Sequence, residues 1–540
     1  MAAPRPAGRT SGVLGVLAAA LALGVAELTA ALVGRPEAGP LLAVGSAVID
    51  LSPAWLKDFA VRTFGTADKP VLLLTLAAAT VAGSAAVGTA ASRRPRSAIA
   101  ALAGLAALAG AAALSRPRAG PIHVLPAAVG AAGSTFALLY GRRPPRLRRE
   151  GRITLGDLAR HGRREGCSTL GDLARHGRPV PRTAPAADRR TLLTRGAVLL
   201  GAAVLTGGTG RAITSARQAS ADGRALVLPP PADPARPLPP GVGARVPGLG
   251  PFTTPNDSFY RVDTALIVPR VPHQEWTLRI HGLVDRPVEL DLADVLARPL
   301  TERDITLTCV SNEVGGPYAG NARWLGVDLA ALLREAGIQA GADQVLSRSA
   351  DGWSASTALD AVLDGRDALL AVAMNGAPLP PAHGFPARMI VPGLYGYVSA
   401  TKWVTDLKLT RFADERAYWT RRGWAERAPI KTASRIEVPK PFAEVPAGPV
   451  AVAGTAWAQH RGIAAVEVRV DDGPWLRAGL AASGGPDTWR QWRMTWQATP
   501  GRHRLQVRAT DAGGDVQTAE RVPPIPAGAT GRHTVLVTVT

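Results

Sequence analysis

The chain of 540 residues is 46% hydrophobic but only 5% aromatic, and it carries a formal net charge of +20. The charge is uneven, since residues 1 to 210 hold 26 Lys and Arg against 10 Asp and Glu, whereas the remainder holds 36 against 32. The basic residues therefore accompany the apolar part of the chain. This distribution favours a membrane protein over a nucleic-acid-binding protein, and we expect no nucleic-acid partner.

Residues 1–140 are predicted to form a transmembrane region, because four apolar segments are about as long as a bilayer core requires. A shorter apolar run after the first span continues as "WLKDFAVRTF", where Trp55, Leu56 and Phe59 can share one helical face. Such a face is typical of a helix that lies at the membrane surface. A fifth, less apolar segment is found at 192–210. The four spans are predicted at 12–33, 71–91, 97–115 and 121–140.

The orientation follows from the positions of the basic residues. With five spans and an internal N-terminus, the cytoplasmic segments hold 19 Lys and Arg and the opposite side holds 6. This asymmetry places residues 211–540 outside the cytoplasm. We therefore predict a multi-pass protein of the cell membrane whose C-terminal part is extracytoplasmic.

Residues 141–191 are predicted to form a cytoplasmic, arginine-rich loop in which the stretch "TLGDLARHGR" occurs twice. Two copies are too few for a repeat fold. His161, Cys167 and His176 suggest a metal site only weakly, because their spacing is irregular, and a disordered connector is favoured. The spans contain one histidine, His123, and no methionine. A haem, which needs two axial ligands, is therefore not expected.

The rest of the chain is predicted to contain a proline-rich linker and two domains. Residues 211–252 are too rich in proline for a regular element and are expected to form an extended tether. In residues 253–425, strands such as "EWTLRIHGLV" occur with occasional helices such as "VDLAALLREAG", which favours an α+β domain. In residues 426–540, short alternating strands separated by turn residues predict an immunoglobulin-like β-sandwich.

Cys309 is the only cysteine after residue 210, so it has no disulfide partner in the part of the chain predicted to be exported. Such a cysteine is either buried as a small hydrophobic residue or used as a thiolate. Its place on the apolar face of "DITLTC" supports burial. The polar, glycine-rich loop that follows, "VSNEVGGPYAGN", allows a bulky ligand to approach closely, and a thiolate beside it suits a soft metal.

Several motifs, in the same order along the chain, resemble the sulfite oxidase family of molybdenum enzymes. They are "TPNDSFYRVD", "WTLRIHGLVDRPVELDL", "ITLTCVSNEVGG", "ARWLGVDLAALLREAG", "PPAHGFPARMIVPGLYGYVSATKWV", "GTAWAQHRGIAAVEVRVDDGPW" and "GRHRLQVRATDAGGDVQ". The resemblance implies an α+β molybdopterin-binding domain at 253–425. It also implies that 426–540 is the immunoglobulin-like domain through which many members dimerise, so a homodimer is expected. A bundle of about five transmembrane helices would precede both.

The resemblance further implies a cofactor and its contacts. Molybdenum would be held by molybdopterin, a pyranopterin dithiolene, and by the thiolate of Cys309. His383, Arg388 and Lys402 fall where relatives hold the anionic cofactor, and cationic donors suit its phosphate. Five more residues occupy neighbouring cofactor-contact positions, namely Asn256, Tyr260, Arg261, Ser349 and Thr401.

The paired arginines Arg189 and Arg190, in "DRRTLL", gain a meaning from this resemblance. Relatives receive the cofactor in the cytoplasm and are exported folded by the twin-arginine route. The pair before the fifth span is therefore interpreted as such a signal. A coincidental pair in an arginine-rich loop is the alternative.

The family reaction is a two-electron oxygen-atom transfer at molybdenum, for which the protein positions the substrate. Sulfite-oxidising relatives carry an arginine after a glycine-rich run behind "AW", whereas here Trp457 precedes "AQHRG", in which Arg461 is out of step. They also carry a tyrosine where this chain has Trp424. Loss of a bidentate anion clamp disfavours sulfite. A sulfoxide, including oxidised methionine in proteins, or another small oxo compound is the predicted substrate.

Alternative functions stay open at this point. One is a sulfite dehydrogenase, another is a non-catalytic membrane-tethered binding protein that retains the fold, and a third is a structural or adhesive surface protein. For an enzyme, electrons are expected to pass to or from a separate redox partner or the quinone pool, because no haem domain or c-type haem motif is recognised.

Overall fold

A computed structural model describes residues 7–64, 67–116, 119–142, 189–220 and 226–540. Contacts within the chain divide it into two compact units. The helical unit comprises Met1–Leu51 and Phe59–Ser215, and the β-rich unit comprises Ala216–Thr540 with the short stretch Ser52–Asp58. This division agrees with the predicted fold class.

The described residues before 221 form seven α-helices. They are α1 Ala7–Leu32, α2 Pro40–Leu51, α3 Ala54–Phe64, α4 Asp68–Arg93, α5 Pro95–Leu114, α6 Leu125–Arg142 and α7 Arg189–Ser220. Five apolar stretches are long enough to cross a membrane, at Ser11–Leu32, Asp68–Ala91, Arg96–Leu114, Pro121–Tyr140 and Leu193–Ala216. They lie within a few residues of the predicted spans, although the fifth continues beyond the predicted end at 210. Most of the predicted loop at 141–191, with its duplicated stretch and Cys167, lies outside the described residues.

The short helix α3 matches the segment that the sequence places at the membrane surface. Its side chains Trp55, Leu56 and Phe59 are all exposed. An exposed aromatic face on a short helix is the arrangement that an interfacial helix uses.

The β-rich unit contains nineteen strands and four further α-helices in the described residues. The strands are β1 Thr277–Gly282, β2 Val288–Asp291, β3 Thr301–Thr308, β4 Ala319–Asp328, β5 Gln344–Ser349, β6 Ser354–Ala358, β7 Leu369–Met374, β8 Ala377–Pro378, β9 Arg388–Ile390, β10 Val404–Thr410, β11 Ala433–Val438, β12 Glu444–Val445, β13 Gly448–Trp457, β14 Ile463–Val470, β15 Leu476–Arg477, β16 Gly479–Leu480, β17 Arg490–Ala498, β18 Gly501–Asp511 and β19 Thr534–Val539. The helices are α8 Leu292–Leu296, α9 Leu329–Ala336, α10 Leu359–Leu363 and α11 Gly396–Ser399.

Strands β1 to β10 form what we call the N-terminal sheet pair. One sheet has the order β2-β1-β10-β5-β6, and the other has the order β3-β4-β7-β8 with β9 paired to β7. Strands β1 and β10 are parallel. The predicted alternation is observed in β1, where Leu278 and Ile280 are buried while Arg279 between them is exposed. Helix α9 also forms as predicted, because Asp328 caps its first turn and its apolar side chains enter the core.

Strands β11 to β19 form the C-terminal sandwich. Its two sheets have the orders β11-β13-β17-β16 and β12-β19-β18-β14-β15. They enclose one core in which Val466 and Val468 of β14 pack with Trp492 of β17. This arrangement agrees with the immunoglobulin-like sandwich that the alternating strands predict.

The segment 226–252 has no helix or regular strand, as its prolines predict, but it is not a free tether. The Ala244 N–H donates to Gln491 Oε1 at 2.9 Å, and Gln491 Nε2 donates to the Gly250 carbonyl at 2.8 Å. Phe252 is buried. These hydrogen bonds fix the segment on the sandwich, so ordered structure begins well before the predicted position near Thr253.

An aromatic cluster joins the N-terminal sheet pair to the sandwich, and we call it the junction cluster. Its aromatic members are Phe252, Tyr395, Tyr397, Trp424, Trp457 and Trp489. Trp489 Nε1 donates to the Phe252 carbonyl at 2.9 Å. Nearby, Gln459 Nε2 donates to Thr308 Oγ1 at 2.8 Å, which ties β3 to the chain after β13. Both halves of the β-rich unit therefore share buried apolar and polar contacts.

Candidate functional site

Cys309 directly follows β3 and opens the loop to β4. Its N–H donates to the Tyr318 carbonyl at 2.9 Å, and its carbonyl accepts from the Asn312 N–H at 3.1 Å. The Asn312 side chain accepts from the Tyr318 N–H at 2.8 Å, so the glycine-rich loop closes on itself. Burial raises the pKa of the thiol, opposed by hydrogen bonds from Ser311. The cysteine is thus buried, as its apolar strand predicts, but at a strand end beside polar groups.

Arg388, on β9, is a deeply buried cation that is only 5% exposed. Its Nη1 donates to the His383 carbonyl at 3.0 Å, and its guanidinium lies 5.1 Å from the centre of the Trp324 ring. Its Nε has no hydrogen-bond partner, and in the described part of the chain no carboxylate pairs with it. Burial lowers the pKa of Arg388 to about 10. A buried guanidinium with an unused donor is costly unless a ligand supplies the acceptor.

Lys402 is a second buried cation close to Arg388. Its Nζ lies 2.6 Å from Asp263 Oδ2 and donates to the Ala382 carbonyl at 3.2 Å. Arg261 binds the same carboxylate through its Nε at 2.8 Å. Burial lowers the pKa of Lys402 to about 8, and the Asp263 charge opposes this shift. Since two cations share one carboxylate and Arg388 has none, the cluster has an excess of positive charge.

His383 connects the cations to the segment before β1. Its Nε2 lies 3.0 Å from the Asn256 carbonyl, which assigns the ring proton to Nε2. Burial and then the Arg388 charge lower the pKa of His383 to about 4, so the imidazole is neutral at neutral pH. The Asn256 side chain is held in turn by Asn375, whose Nδ2 donates to Asn256 Oδ1 at 2.8 Å.

Tyr260 is close enough to both Cys309 and Arg388 for their charges to act on its phenol. Burial raises the pKa of its phenol, the nearby Cys309 raises it further, and Arg388 lowers it. The ring stacks on Phe259 with centroids 5.2 Å apart and lies 6.2 Å from Tyr318. Tyr260 therefore links the Cys309 loop to the cation cluster.

Ser349 and Thr401 lie at the margin of this site. Ser349 hydrogen-bonds the Asp351 carboxyl, and burial raises the pKa of Asp351 while Lys402 lowers it. Thr401 is engaged with Ser347, Oγ1 to Oγ at 2.6 Å. The structure thus gathers the other predicted contact residues into one cluster, in which Tyr260 is the member that senses Cys309: Asn256, Tyr260, Arg261, His383, Arg388 and Lys402.

A cleft borders the Cys309 loop between the N-terminal sheet pair and the sandwich. Glu313 is the one charged residue in its described lining. Burial raises the pKa of Tyr395, a lining residue, to about 12, with further influence from the nearby Cys309 and Arg461. The other lining side chains are uncharged; they include Thr308, Asn312, Thr432, Ser434, Trp457 and Gln517.

Arg461 contacts a residue that lines the cleft, although its spacing from Trp457 differs from that of the arginine in sulfite-oxidising relatives. Its Nη2 donates to the lining residue Thr432, at Oγ1, over 3.1 Å. Its charge is already neutralised, because its Nε lies 2.9 Å from the buried Asp511 carboxylate. Trp424, which the motifs predict to replace a tyrosine of sulfite-oxidising relatives, is buried in the junction cluster, and its indole N–H has no hydrogen-bond partner among the described residues.

Comparisons with known proteins point to one family. Residues 265–419 match the family described as "Oxidoreductase molybdopterin binding domain". The chain is 34% identical over 174 residues to the "Uncharacterized oxidoreductase YuiH" of Bacillus subtilis, covering 32% of this chain and 84% of that protein. It is 29% identical over 324 residues to the sulfite oxidase of Gallus gallus, covering 51% of this chain and 70% of that protein.

The chain belongs to the sulfite oxidase family of molybdopterin oxidoreductases. The predicted family, enzyme class and molybdenum-molybdopterin cofactor are thereby confirmed. Among solved structures, the sulfane dehydrogenase SoxCD from Paracoccus pantotrophus is 24% identical and covers 54% of this chain and 82% of that chain, with a TM-score of 0.48.

The residues beside Cys309 fit the cofactor of the sulfite oxidase family. Arg388 has an unused buried donor, and the cluster around it is positively charged, as a bound phosphate requires. Cys309 offers sulfur, the ligand type that a soft metal prefers. When bound, the cofactor supplies the two-electron oxygen-atom transfer of the family.

Sequence reasoning missed two carboxyls of this candidate site, those of Asp263 and Asp351. Asp263 lies two residues after Arg261 within "YRVD", but an irregular segment has no periodicity that would reveal their pairing. Asp351 follows Ser349 in a turn after β5. Tyr395 lies within the motif "PPAHGFPARMIVPGLYGYVSATKWV". Its position in the cleft nevertheless depends on chain segments that are distant in sequence.

Proposed function

We propose that this protein is a membrane-anchored molybdenum oxidoreductase that acts on a sulfoxide or another small neutral oxo compound. In this proposal Cys309 is the protein ligand of molybdenum. Arg388, Lys402 and Arg261 bind the phosphate, while His383 and the remaining predicted contacts position the pterin. The residues that line the cleft beside the Cys309 loop orient the substrate and limit its access to the metal.

The charge of the cleft carries this proposal. Its described lining contains one charged residue, Glu313, which is acidic. Arg461, which donates to the lining residue Thr432, is bound to Asp511 and to backbone and hydroxyl groups. An anion such as sulfite would lack an unpaired cationic clamp and would be repelled by Glu313, whereas a neutral sulfoxide needs only hydrogen-bond donors.

The first test compares two substrates on the same molybdenum-loaded chain. Reduction of methyl phenyl sulfoxide by a reduced dye is expected to be measurable. Sulfite oxidation is expected to have a kcat/KM about 10- to 10²-fold lower than that of sulfoxide reduction, because a lost charge-assisted hydrogen bond is worth about 1.5–3 kcal/mol. Faster turnover of sulfite than of any sulfoxide would instead support a sulfite dehydrogenase. A chain that stays free of molybdenum in a cofactor-producing host would support the binding-protein alternative.

The membrane part of the proposal rests on the five apolar helices and on the asymmetry of basic residues. We expect a periplasmic-type reporter fused after Thr540 to be active and the same reporter inserted in the loop at 141–191 to be inactive. The reverse pattern would place the catalytic half in the cytoplasm. The twin-arginine signal, the homodimer and the choice between a redox protein and the quinone pool stay predictions.

A further inference from the structure

A substrate with a polar S=O group needs a donor in the cleft, and the position that carries a tyrosine in sulfite-oxidising relatives does not supply a hydroxyl here. Trp424 lies in the junction cluster, with ring centroids 5.6 Å from Tyr397 and 5.9 Å from Trp419. It is not among the described residues that line the cleft. Any hydroxyl that contacts the substrate must therefore come from elsewhere.

Tyr395 brings a hydroxyl to this cleft. It follows the turn after β9, and its backbone N–H donates to the Ala428 carbonyl at 2.9 Å, which fixes the direction of the side chain. The ring belongs to the junction cluster, while the residue lines the same cleft as Thr308 and Asn312, which flank Cys309. Cys309 is close enough to Tyr395 for its charge to raise the pKa of the phenol.

The oxygen of Tyr395 is held, but its proton has no acceptor among the described residues. The backbone N–H of Lys431 interacts with this oxygen as a donor. Gly528 makes room for the hydroxyl, since a Cβ at Gly528 would lie 2.5 Å from it. A hydroxyl has one donor and two acceptor sites, so a hydroxyl that accepts from the backbone retains a proton to donate.

Several neighbouring polar groups of the cleft already use their donors. The Thr432 hydroxyl donates to Asp511 at 2.9 Å, and the Ser434 hydroxyl donates to Gln517 at 2.6 Å. Gln517 Nε2 donates to the Gly531 carbonyl at 2.8 Å. These groups shape the wall of the cleft, whereas the Tyr395 hydroxyl is available for a ligand.

We propose that Tyr395 donates a hydrogen bond to the oxygen of the neutral oxo substrate. Tyr395, which follows the turn after β9, would thus supply the hydroxyl that Trp424 lacks. The inference rests on the proposed function and names the residue that selects for an oxygenated ligand. It requires hydrogen bonding alone and no proton transfer from the phenol.

The test uses Tyr395→Phe in the full, molybdenum-loaded chain in detergent. For the oxidised protein, which does not turn over a sulfoxide, the Kd of methyl phenyl sulfoxide is expected to rise about tenfold, as one lost hydrogen bond predicts. The Kd of methyl phenyl sulfide, which lacks the oxygen, is expected to stay unchanged. With a reduced dye, kcat/KM for the sulfoxide is expected to fall by about 10- to 100-fold.

Tyr397→Phe is the matched control. The Tyr397 hydroxyl donates to the Ala425 carbonyl at 2.7 Å inside the junction cluster and does not line the cleft. This variant is expected to lower the melting temperature while leaving both Kd values and kcat/KM close to those of the wild type. Equal molybdenum content in the three proteins shows that the cofactor is retained.

The outcomes separate this inference from the proposed function. If the loaded wild type reduces no sulfoxide, the proposed function fails and the inference fails with it. If the wild type is active and Tyr395→Phe binds the sulfoxide with the same Kd as the wild type, only the inference is wrong. An equal rise in the Kd of sulfoxide and sulfide would also overturn it, because such a change reflects altered packing rather than a lost donor.

Discussion

Cys309→Ser is expected to reduce turnover by at least about 10³-fold, a loss of about 4 kcal/mol of transition-state stabilisation. The physical reason is the loss of a thiolate that, in our proposal, bonds the metal directly and sets its charge. Because the dithiolene would still hold the metal, part of the molybdenum is expected to remain. X-ray absorption at the molybdenum edge is therefore the decisive measurement, and it should detect one sulfur neighbour fewer in the variant.

Cys167→Ser provides the matched control for this experiment, since Cys167 is the other cysteine of the chain. It is expected to leave turnover, molybdenum content and the number of sulfur neighbours unchanged. If Cys309→Ser turned over at the wild-type rate with an unchanged metal environment, Cys309 would serve only as a buried hydrophobic residue. That result would leave the family membership intact but remove the proposed ligand.

Arg388→Met is expected to raise the stability of the cofactor-free protein and to lower the amount of cofactor that the protein binds. Burial lowers the pKa of Arg388 from 12.5 to about 10. That shift corresponds to about 3 kcal/mol of unfavourable free energy in the folded, cofactor-free chain. Because the folded pKa is depressed for a base, this penalty is present at neutral pH and is relieved only as the pH rises past about 10. Methionine removes the charge and can keep contact with the Trp324 ring.

The cofactor-free variant should therefore be more stable than the wild type by about 1–2 kcal/mol, after subtraction of about 1 kcal/mol for the lost bond to the His383 carbonyl. Its molybdopterin content, in a host that makes the cofactor, should fall by at least about tenfold, as expected when a phosphate loses a charge-assisted donor. Tryptophan fluorescence during denaturation measures the stability of the β-rich unit, because Trp55 alone of the 12 tryptophans precedes residue 226.

Arg298→Met is the control for Arg388→Met. Arg298 is more exposed than Arg388 and pairs with Glu335, Nη1 to Oε2 at 2.5 Å. Removing a pair of this kind usually costs no more than about 1 kcal/mol and should leave the cofactor content unchanged. Normal cofactor loading of Arg388→Met would show that this buried cation serves the fold and not the cofactor.

The elements that the sequence predicts well are those fixed by local burial. Helix α9 presents one apolar face and has Asp328 and Gly337 at its ends, so periodicity and capping identify it without any tertiary information. Strand β1 and the five apolar helices are predictable for a similar reason, since β1 buries one face and the helices are apolar over the length needed to cross a membrane. The order of the family motifs then predicts the site residues around Cys309.

The sequence does not predict how distant segments meet. The cleft combines Thr308, Tyr395, Thr432 and Gln517, which come from widely separated parts of the chain. The pairing of Lys402 with Asp263 is equally long-range, and no spacing rule relates the two residues. The prolines of 226–252 predict the absence of regular structure, but the docking of Ala244 on Gln491 depends on a strand that forms far later in the chain.

We expect the junction cluster to limit which molecules can reach the proposed metal site. A rotation of the sandwich away from the N-terminal sheet pair would expose the Trp489 indole. It would also break the hydrogen bond from Trp489 to the Phe252 carbonyl and the hydrogen bond from Gln459 to Thr308. Such a hinge would therefore cost free energy, and we expect the mouth of the cleft to stay narrow. We therefore expect free small sulfoxides, or an oxidised methionine on a flexible chain end, to enter, while one embedded in a rigid globular surface stays out of reach.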